Sequence, residues 1–477
     1  MIAVAPLCAC AAVLGIDDGH PLAPGDDGGL DSTMPLADGE LGDDAGSDAQ
    51  ALGEPDGAFS PLSCDPGVTS PSASGLFVAP TPTGDDSAAC TQAAPCATIH
   101  HAINIAENMA TPPPIYLQEG TYTEQVTLQP GTQVTGGWSS SWVYDCAKPT
   151  LVQAPSTATT TVIASFGANG QATLQSLTIA SKASANAGET LIGVEATGAA
   201  TVLNLSYVGV NVAGGGDGLP GVAGDAGPNA TGACTTPGDG GSSNDVGGKG
   251  MGADAGWFLP SGFGSMTGGP GGTGGSGMNG AAGSAGACVH CYASCTGSVV
   301  CSSSDGGVEC GGEGEPGCGG AGGFGGVGGG TGGSSVALFV SGATVVMKSG
   351  TLQTGNGGNG GNGGPGGGVG GESSGAYGTP SVASDCYTTC ASLSSKCGLS
   401  GPESADGGAP GGPGGKGATG GTGGDGAGGD SFAIVQLGGS VRQATDAGAT
   451  QLLNGLPGHT ADGGNGAPGS AGPHVQQ

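Results

Sequence analysis

Glycine recurs at every third position over long stretches of this 477-residue chain. One unbroken series runs from Gly408 to Gly429 and another from Gly311 to Gly332, and similar stretches cover Gly268 to Gly286 and Gly357 to Gly366. A polyproline II helix has three residues per turn, so this spacing leaves one bare stripe along such a helix, where a second backbone can approach closely. The spacing therefore predicts ordered, packed tracts.

Three structures are possible for these tracts: a collagen triple helix, a flexible linker and a bundle of polyproline II helices. A collagen triple helix needs three chains and abundant Pro between the glycines, whereas here Gly often fills those positions too, as in residues 360–365. A flexible linker would not need strict spacing. We therefore expect an intramolecular bundle of polyproline II helices, packed through Gly faces and carrying Asn, Thr, Ser, Asp and Pro on the outside.

Composition limits both the core and the partners. With 111 Gly, 31 Pro and only 4% aromatic residues, much of the chain cannot build an ordinary side-chain core, although its apolar residues cluster in a few segments. The net charge of −31 excludes nucleic acid and anionic lipid surfaces as partners, since both need clustered cations. No cofactor is predicted, and loosely bound calcium is compatible with this charge.

A helix is predicted between residues 97 and 109. Apolar residues lie there at helical spacing, and three prolines from Pro112 end the pattern. Short strands are predicted on either side, at Leu76-Phe77-Val78, Ile115-Tyr116-Leu117 and Gln125-Val126-Thr127-Leu128, with 119–124 as a connection.

This block resembles the opening of pectin-lyase-like right-handed parallel β-helix proteins. The likeness rests on Thr98-Ile99, the helix, Ile115-Tyr116-Leu117, Gly120-Thr121-Tyr122 and Glu124 with Val126. It implies that the helix caps the N-terminal end of a β-helix and that a Gly-x-Tyr-x-Glu turn leads into its first coil. Glu119 departs from the family pattern, which has Pro or a small residue there.

Paired β-rich segments then recur with one layout, a strand, a Gly turn and a second strand. The four pairs are 160–164 with 172–179, 191–194 with 200–205, 336–340 with 343–347, and 432–437 with 440–441. The apolar alternation changes phase within 203–212, which predicts a bend between two strands. The later copies run directly into glycine, so the tracts are expected to be expanded loops on one side of the coil.

The predicted fold class is all-β, a right-handed parallel β-helix with an N-terminal capping helix and long glycine-rich, polyproline II-like insertions. From residue 61 to 477 the combination resembles bacterial surface lipoproteins with PGRS-like glycine-rich insertions. The expected divisions are 1–10 (truncated lipoprotein signal), 11–60 (acidic disordered tether), 61–213 (β-helix with capping helix), 214–334 (Gly/Cys-rich insertion), 335–354 (β-helix coil), 355–430 (second insertion), 431–454 (β-helix coil) and 455–477 (Gly-rich tail).

The first ten residues indicate export. Leu7-Cys8-Ala9-Cys10 follows a short apolar run and resembles the lipobox of bacterial lipoproteins, which implies lipidation at Cys10. Cys8 departs from the usual small residue, and no Lys or Arg precedes the run, so a truncated ordinary signal peptide is the alternative. The expected location is a lipid anchor at the bacterial outer membrane or cell surface, with no other contact to the membrane.

Fourteen further cysteines are expected to form disulfides, as in exported cysteine-rich chains. They are Cys64, Cys90, Cys96, Cys146, Cys234, Cys288, Cys291, Cys295, Cys301, Cys310, Cys318, Cys386, Cys390 and Cys397. Seven lie in the first insertion and three in the second. If the first four pair among themselves and no cysteine stays free, at least one bridge must join the two insertions.

Several possible sites have a simpler explanation. Cys288, His290, Cys291 and Cys295 have zinc-ligand spacing, but disulfides are the expected state of these cysteines. His100 and His101 point in different directions on a helix. The Asp-Asp pairs before residue 60 fit a solvated tether, and Gly424-Asp425-Gly426 with Gly429-Asp430 lacks the full spacing of calcium-binding nonapeptides. No metal site is predicted.

Enzymatic activity is not expected, and no catalytic residue is assigned. The resemblance implies an alternative, a polysaccharide lyase or hydrolase, whose relatives use clustered aspartates, calcium and Arg or Lys. Arg442 is the only Arg and its strand contains no acidic pair, while Glu189 and Glu195 are isolated carboxylates that flank a strand. The predicted function is structural or adhesive, with weak multivalent binding to extracellular glycans or matrix. Ice binding and an inert spacer remain further alternatives.

Overall fold

The structure is a computed structural model that describes most of the chain from residue 68 onward. The described residues are 68, 70–145, 148–167, 170–236, 238, 242–254, 256–259, 262–264, 273–285, 288–290, 292–295, 308–310, 312–382, 397–400, 404–405, 407–445, 448–460 and 466–476. All of them fall within Phe59–Gln477, one of two units into which the chain divides. The predicted signal, Cys10 and the tether lie outside the described residues.

The described part contains one α-helix and twenty-four strands. The first half comprises β1 Leu76–Val78, α1 Ile99–Glu107, β2 Ile115–Gln118, β3 Gly120–Thr123, β4 Val126–Leu128, β5 Gln133–Trp138, β6 Thr150–Gln153, β7 Thr160–Ser165, β8 Gly170–Ala180, β9 Leu191–Thr197, β10 Thr201–Val212, β11 Trp257–Leu259 and β12 Gly262–Gly264. The remainder comprises β13 Cys288–His290, β14 Tyr292–Cys295, β15 Val308–Cys310, β16 Ser335–Ser341, β17 Thr344–Thr354, β18 Ser381–Val382, β19 Cys397–Ser400, β20 Ser404–Ala405, β21 Ser431–Leu437, β22 Ser440–Gln443, β23 Thr450–Leu453 and β24 Ala471–Gln476.

Two parallel sheets organise these strands. The larger has ten strands along the order β1-β2-β5-β8-β10-β17-β22, with β3, β6 and β23 beside this path, and the smaller has the order β4-β7-β9-β16-β21-β24. The remaining strands form antiparallel pairs, β11 with β12, β13 with β15, β14 with β19, and β18 with β20. Parallel neighbours cannot be joined by tight hairpins, so each strand reaches its neighbour through a crossover.

From β7 to β17 the chain alternates between the two sheets, and each strand lies beside its predecessor in the same sheet. Leu338 of β16 is in register with Val194 of β9 and Ile434 of β21. This stacking confirms the four predicted strand pairs and the all-β, parallel fold class. The sheets are separate and form no closed solenoid in the described residues, so the right-handed β-helix stays a prediction.

A bend divides the long strands of the larger sheet. Ser176, Tyr207 and Ser349 have φ of 54°, 55° and 56°, in the left-handed region that non-glycine residues seldom adopt. They occupy equivalent positions, since the registers of β8, β10 and β17 skip all three. The predicted phase change within 203–212 is confirmed, because one left-handed residue turns the strand and shifts the alternation.

The core lies between the two sheets. Buried apolar residues of both sheets and of α1 form one cluster, in which Ile179, Val194, Leu203 and Leu338 are at most 1% exposed. Apolar burial of this kind contributes about 25 cal/mol per Å². The two sheets therefore supply the hydrophobic core that the glycine tracts cannot provide.

The N-terminal helix is confirmed, with four predicted apolar residues buried against the core. It ends at Glu107, two residues before the predicted limit, so Met109 is exposed. Both carboxylate oxygens of Glu124 accept N–H groups from the first turn, those of Ile99 and His100, each at 2.9 Å. Burial raises the pKa of Glu124 even though these two hydrogen bonds oppose the shift.

Two features differ from the sequence prediction. The predicted connection 119–124 contains a strand, β3, which pairs with β6, and the buried Tyr122 within it donates its hydroxyl to the carbonyl oxygens of Val78 and Gln118. The segment predicted as a glycine-rich tail ends in β24, which extends the smaller sheet beside β21. Both strands are short and polar, and only their non-local pairing defines them.

Candidate binding surface

Seven extended runs of the glycine tracts lie beside the sheets. We number them run 1 (214–230), run 2 (242–254), run 3 (273–285), run 4 (312–333), run 5 (355–379), run 6 (407–430) and run 7 (455–460 and 466–469). Runs 1 to 4 connect β10 to β16, runs 5 and 6 connect β17 to β21, and run 7 connects β23 to β24. Both insertions, and the connection that contains run 7, therefore leave the larger sheet and return to the smaller one, as predicted for loops on one side.

Backbone hydrogen bonds join the runs at every third residue. In run 1, the N–H groups of Gly218, Gly221 and Gly224 donate to the carbonyl oxygens of three residues in run 5. The acceptors are Asn359, Asn362 and Pro365, at 2.7, 2.7 and 2.9 Å. Donor and acceptor both advance by three residues, which is the repeat of a polyproline II helix, a structure with no hydrogen bonds of its own.

Runs 4, 5 and 6 form the centre of this bundle. Gly329 of run 4 donates its N–H to Gly424 of run 6 at 2.9 Å, and Gly426 of run 6 donates to Gly361 of run 5 at 2.8 Å. Gly361 in turn donates to Gly330 of run 4 at 2.8 Å. Each central run is thus bonded to both others, so the backbone groups that a glycine tract leaves exposed are satisfied within the bundle.

The packing explains why many triplets contain two glycines. In run 5, a Cβ on Gly363 would overlap the backbone of Gly423 in run 6, and one on Gly364 would overlap Val222 in run 1. Run 5 lies between neighbours on two sides, so two of its three faces must lack side chains. The third position carries the side chain, such as Asn362 or Pro365. This confirms the prediction that the tracts pack through their Gly faces.

Large apolar side chains occupy many of the outward positions, contrary to the prediction of a purely polar exterior. Ten of the fourteen exposed large hydrophobic residues in the described part of the chain lie in the runs. They are Leu219, Val222, Val246, Met251, Met278, Phe324, Val327, Val369, Tyr377 and Leu456. The three-residue repeat identifies outward positions, but sequence reasoning did not consider apolar residues there.

Four of these exposed side chains stand on two runs whose backbones are hydrogen-bonded to each other, and we call this set the apolar face: Leu219 and Val222 of run 1, and Phe324 and Val327 of run 4. Their exposed fractions are 65%, 70%, 50% and 52%, and the Val327 N–H donates to the Val222 carbonyl at 2.9 Å. A Cβ on Gly330, which lies in the same three-residue row of run 4 as Phe324 and Val327, would be 3.2 Å from the backbone nitrogen of Leu219. This row of run 4 therefore borders run 1.

The acidic residues of run 6 have partners within the protein. Asp425 accepts the N–H of Gly363 at 2.9 Å and pairs with Lys249 at 3.1 Å. Asp430 accepts the N–H of Ser470 at 2.7 Å, and burial raises its pKa to about 6. The two carboxylates that resembled calcium ligands thus brace neighbouring segments.

Four of the cysteines predicted to form disulfides are paired in the described residues. Cys90 is bonded to Cys96, and Cys234 to Cys318 in the first insertion. Cys288, Cys295, Cys310 and Cys397 lie on described strands. Cys64, Cys146, Cys291, Cys301, Cys386 and Cys390 lie outside the described residues.

Among the described residues, a histidine belongs to one group of possible metal ligands. The one cluster of three possible ligands there comprises Cys90, Cys96 and His101, and its two cysteines form a disulfide and so offer no thiolate. His459 donates its backbone N–H to the Asn359 side chain, and the His474 ring contacts the Gln436 amide oxygen at 3.2 Å. The zinc alternative includes Cys291 and cannot be assembled from described residues.

The residues of the enzymatic alternative have separate partners. Glu189 pairs with the buried Lys182 at 2.6 Å; burial acts to raise the pKa of Glu189, but the hydrogen bonds from Lys182 and from Asn186 outweigh it and lower that pKa. Glu195 contacts Thr160, and burial raises its pKa. Arg442 is exposed on β22. Each of the two carboxylates thus has its own neighbour within the fold.

Comparisons with protein-family models, with curated proteins and with solved structures gave no match. The structure supports the coarser part of the pectin-lyase-like resemblance, a mostly β protein with parallel sheets. Membership of that family remains a prediction. Among the described residues, no helix is long and apolar enough to span a bilayer.

Proposed function

We propose that this chain is a non-enzymatic, exported surface protein whose glycine-run bundle is a rigid platform for weak, multivalent adhesion. The observation that carries the proposal is the apolar face, four large side chains held in solvent by a hydrogen-bonded backbone. Single exposed apolar residues are common, but contiguous ones mark interaction sites more often.

A rigid platform suits weak binding. Each side chain on the runs is fixed at its backbone by ladders to neighbouring runs, so less backbone entropy is lost when a ligand binds. Repeated outward positions on several runs also allow simultaneous contacts, which raises overall avidity without any single strong site. The proposal therefore rests on repetition rather than on a pocket.

The net charge narrows the ligand class. A chain with formal charge −31 repels sulfated and uronic-acid polymers, particularly at low salt. Neutral glycans, or apolar and basic patches of matrix proteins, suit the apolar face better. The ring of Phe324 offers a flat apolar surface for the C–H face of a sugar, a contact for which aromatic side chains are well shaped.

The proposal also covers the right-handed β-helical fold and the cellular location of the protein. It takes the two parallel sheets as stacked coils of a right-handed β-helix, and Cys10 as the lipid anchor at the bacterial cell surface. Two disulfides support export, since such bonds persist in oxidising compartments. Metabolic labelling with palmitate, lost in a Cys10→Ser variant, would test the anchor.

Binding of purified protein to arrays of neutral glycans and matrix proteins tests the function. We expect binding by the native chain and at least a tenfold loss in a Phe324→Ser/Val327→Ser variant with an unchanged melting temperature. Val143→Ser is the matched control, because Val143 is 63% exposed but lies outside the runs. Absence of binding by the native chain would contradict the proposal and favour an inert spacer.

The alternatives give different results in the same preparation. A polysaccharide lyase or hydrolase would release unsaturated or reducing sugars from soluble polymers, and an ice-binding protein would produce thermal hysteresis. We expect neither.

A further inference from the structure

Two strand pairings place cysteines directly opposite one another. In the antiparallel pair of β13 and β15, Cys288 is in register with Cys310, and in the pair of β14 and β19, Cys295 is in register with Cys397. Residues opposite one another in antiparallel strands have Cα atoms about 4.5–5.5 Å apart. Disulfides span Cα separations of about 4.4–6.8 Å. Both registers therefore bring the cysteines within bonding range.

The second pairing crosses between insertions. β14 belongs to the first insertion and β19 to the second, and two strands of the parallel sheets, β16 and β17, lie between them in the chain. The pairing is four residues long, from Tyr292 opposite Ser400 to Cys295 opposite Cys397. A short antiparallel pair of this kind contributes little stability by itself, so a covalent link at its end would fix the contact.

The number of cysteines independently favours such a link. The first insertion contains seven cysteines and the second contains three, so neither set can pair completely within itself. If Cys64 bonds Cys146 and no cysteine stays free, at least one bridge must join the two insertions. Cys234–Cys318 uses two cysteines of the first set. If Cys288 bonds Cys310 and Cys295 bonds Cys397, two cysteines remain in each insertion. One cross-link thus makes both sets even.

We propose that a Cys295–Cys397 disulfide joins the two glycine-rich insertions, with Cys288–Cys310 as a companion bridge within the first. In each step two thiols lose two protons and two electrons as their sulfur atoms bond. A protein or small-molecule disulfide in the exporting compartment accepts them and is reduced to two thiols. The inference is independent of the adhesive function and holds equally for an inert spacer.

Trypsin can test the link because lysines flank the relevant segments. Cleavage after Lys348, Lys396 and Lys416 gives peptide 397–416, in which Cys397 is the sole cysteine, and peptide 349–396, which contains Cys386 and Cys390. The full chain, produced in an oxidising compartment, is alkylated, unfolded in urea without reductant and digested. We expect 397–416 to be attached to peptide 250–348 and released by reduction. Recovery of 397–416 attached to 349–396, or alkylated at Cys397, would overturn the proposal.

Single variants identify the partner within peptide 250–348. In Cys295→Ser we expect Cys397 to become alkylated stoichiometrically before reduction, and in the matched Cys301→Ser variant we expect 397–416 to stay attached. A Cys295→Ser protein that keeps Cys397 in a disulfide would contradict the assignment. If that variant fails to fold, fragmentation of the cross-linked native peptide locates the bond, and a bond to any cysteine other than Cys295 refutes it.

Discussion

Replacement of one glycine in run 5 tests whether the runs pack as tightly as the backbone geometry requires. A Cβ at Gly364 would overlap the carbonyl oxygen of Val222 and lie 2.5 Å from its carbonyl carbon. Real Cβ atoms essentially never approach closer than 3.0 Å, and ordinary contact begins at 3.4 Å. The Val222 carbonyl carbon would therefore have to retreat by about 0.9 Å, and its oxygen farther, as expected for an overpacked site.

Such a retreat breaks hydrogen bonds between three runs. The Val222 carbonyl accepts the Val327 N–H at 2.9 Å, and Gly221 donates to Asn362 at 2.7 Å. Overpacking costs about 1–3 kcal/mol, and each unsatisfied buried backbone group costs about 1–3 kcal/mol. We expect Gly364→Ala to lower the free energy of unfolding by about 2–5 kcal/mol.

Gly368 provides a control in the same run. A Cβ there would have the Ala226 Cβ at 3.9 Å as its nearest contact, and the φ of Gly368 lies outside the left-handed region. Gly368→Ala should therefore be neutral, or stabilising by about 0.5 kcal/mol, because alanine restricts the unfolded chain. Thermal and denaturant unfolding of both variants measure the difference. Equal stability of Gly364→Ala and Gly368→Ala would refute tight packing of run 5.

Three further substitutions test the carboxylates of the fold. Burial raises the pKa of Asp430 from 3.8 to about 6, so the folded state binds a proton more tightly than the unfolded state, and this stabilisation is lost as pH rises through about 6. Asp430→Asn should flatten this pH dependence and raise the free energy of unfolding by about 1–3 kcal/mol at pH 7.5. Melting temperatures measured from pH 4.5 to 7.5 check both expectations. Glu124→Ala should cost about 1–2 kcal/mol by removing both acceptors at the start of α1, whereas the exposed Glu107→Ala should cost less than about 0.5 kcal/mol in denaturant unfolding. Lys182→Met leaves Glu189 without its buried partner and should cost about 3 kcal/mol in the same assay, and an unchanged midpoint would contradict that pairing.

Local patterns predicted the periodic parts of this fold. The paired strands beginning at residues 160, 191, 336 and 432 are confirmed because apolar runs between glycine turns have few alternatives to a buried strand. The phase change within 203–212 located the bend at Tyr207. The three-residue glycine repeat predicted the packing of the runs, because only a bare stripe lets two backbones meet.

Non-local pairing set the limit of these predictions. β3, β5, β6 and β24 are short, and their sequences carry no strong alternation. Only the register with a neighbour, such as Gly120 opposite Thr150 or Ser431 opposite Ala471, makes them strands. The partners of the cysteines could not be predicted for the same reason, because the odd number of cysteines in each insertion favours a cross-link without identifying the residues that form it.

The sequence predicted where the side chains of the candidate surface lie but not that several of them are apolar. Outward positions follow from the glycine repeat, yet their occupants were expected to be Asn, Thr, Ser, Asp and Pro. Phe324 and Val327 each stand between two pairs of glycines in run 4, and they are 50% and 52% exposed. A count of apolar residues at the position between paired glycines would have found them.

Residue-resolved amide hydrogen exchange on the purified chain tests the central claim, that the glycine runs form an ordered bundle locked by backbone hydrogen bonds. Gly326, Gly329 and Gly332 of run 4 donate to run 6 at 2.8–2.9 Å and are buried. We predict that these three amides exchange at least a thousandfold more slowly than in an unstructured peptide, as expected for opening free energies above about 4 kcal/mol. Exchange at unstructured-peptide rates throughout runs 4, 5 and 6 would contradict the account.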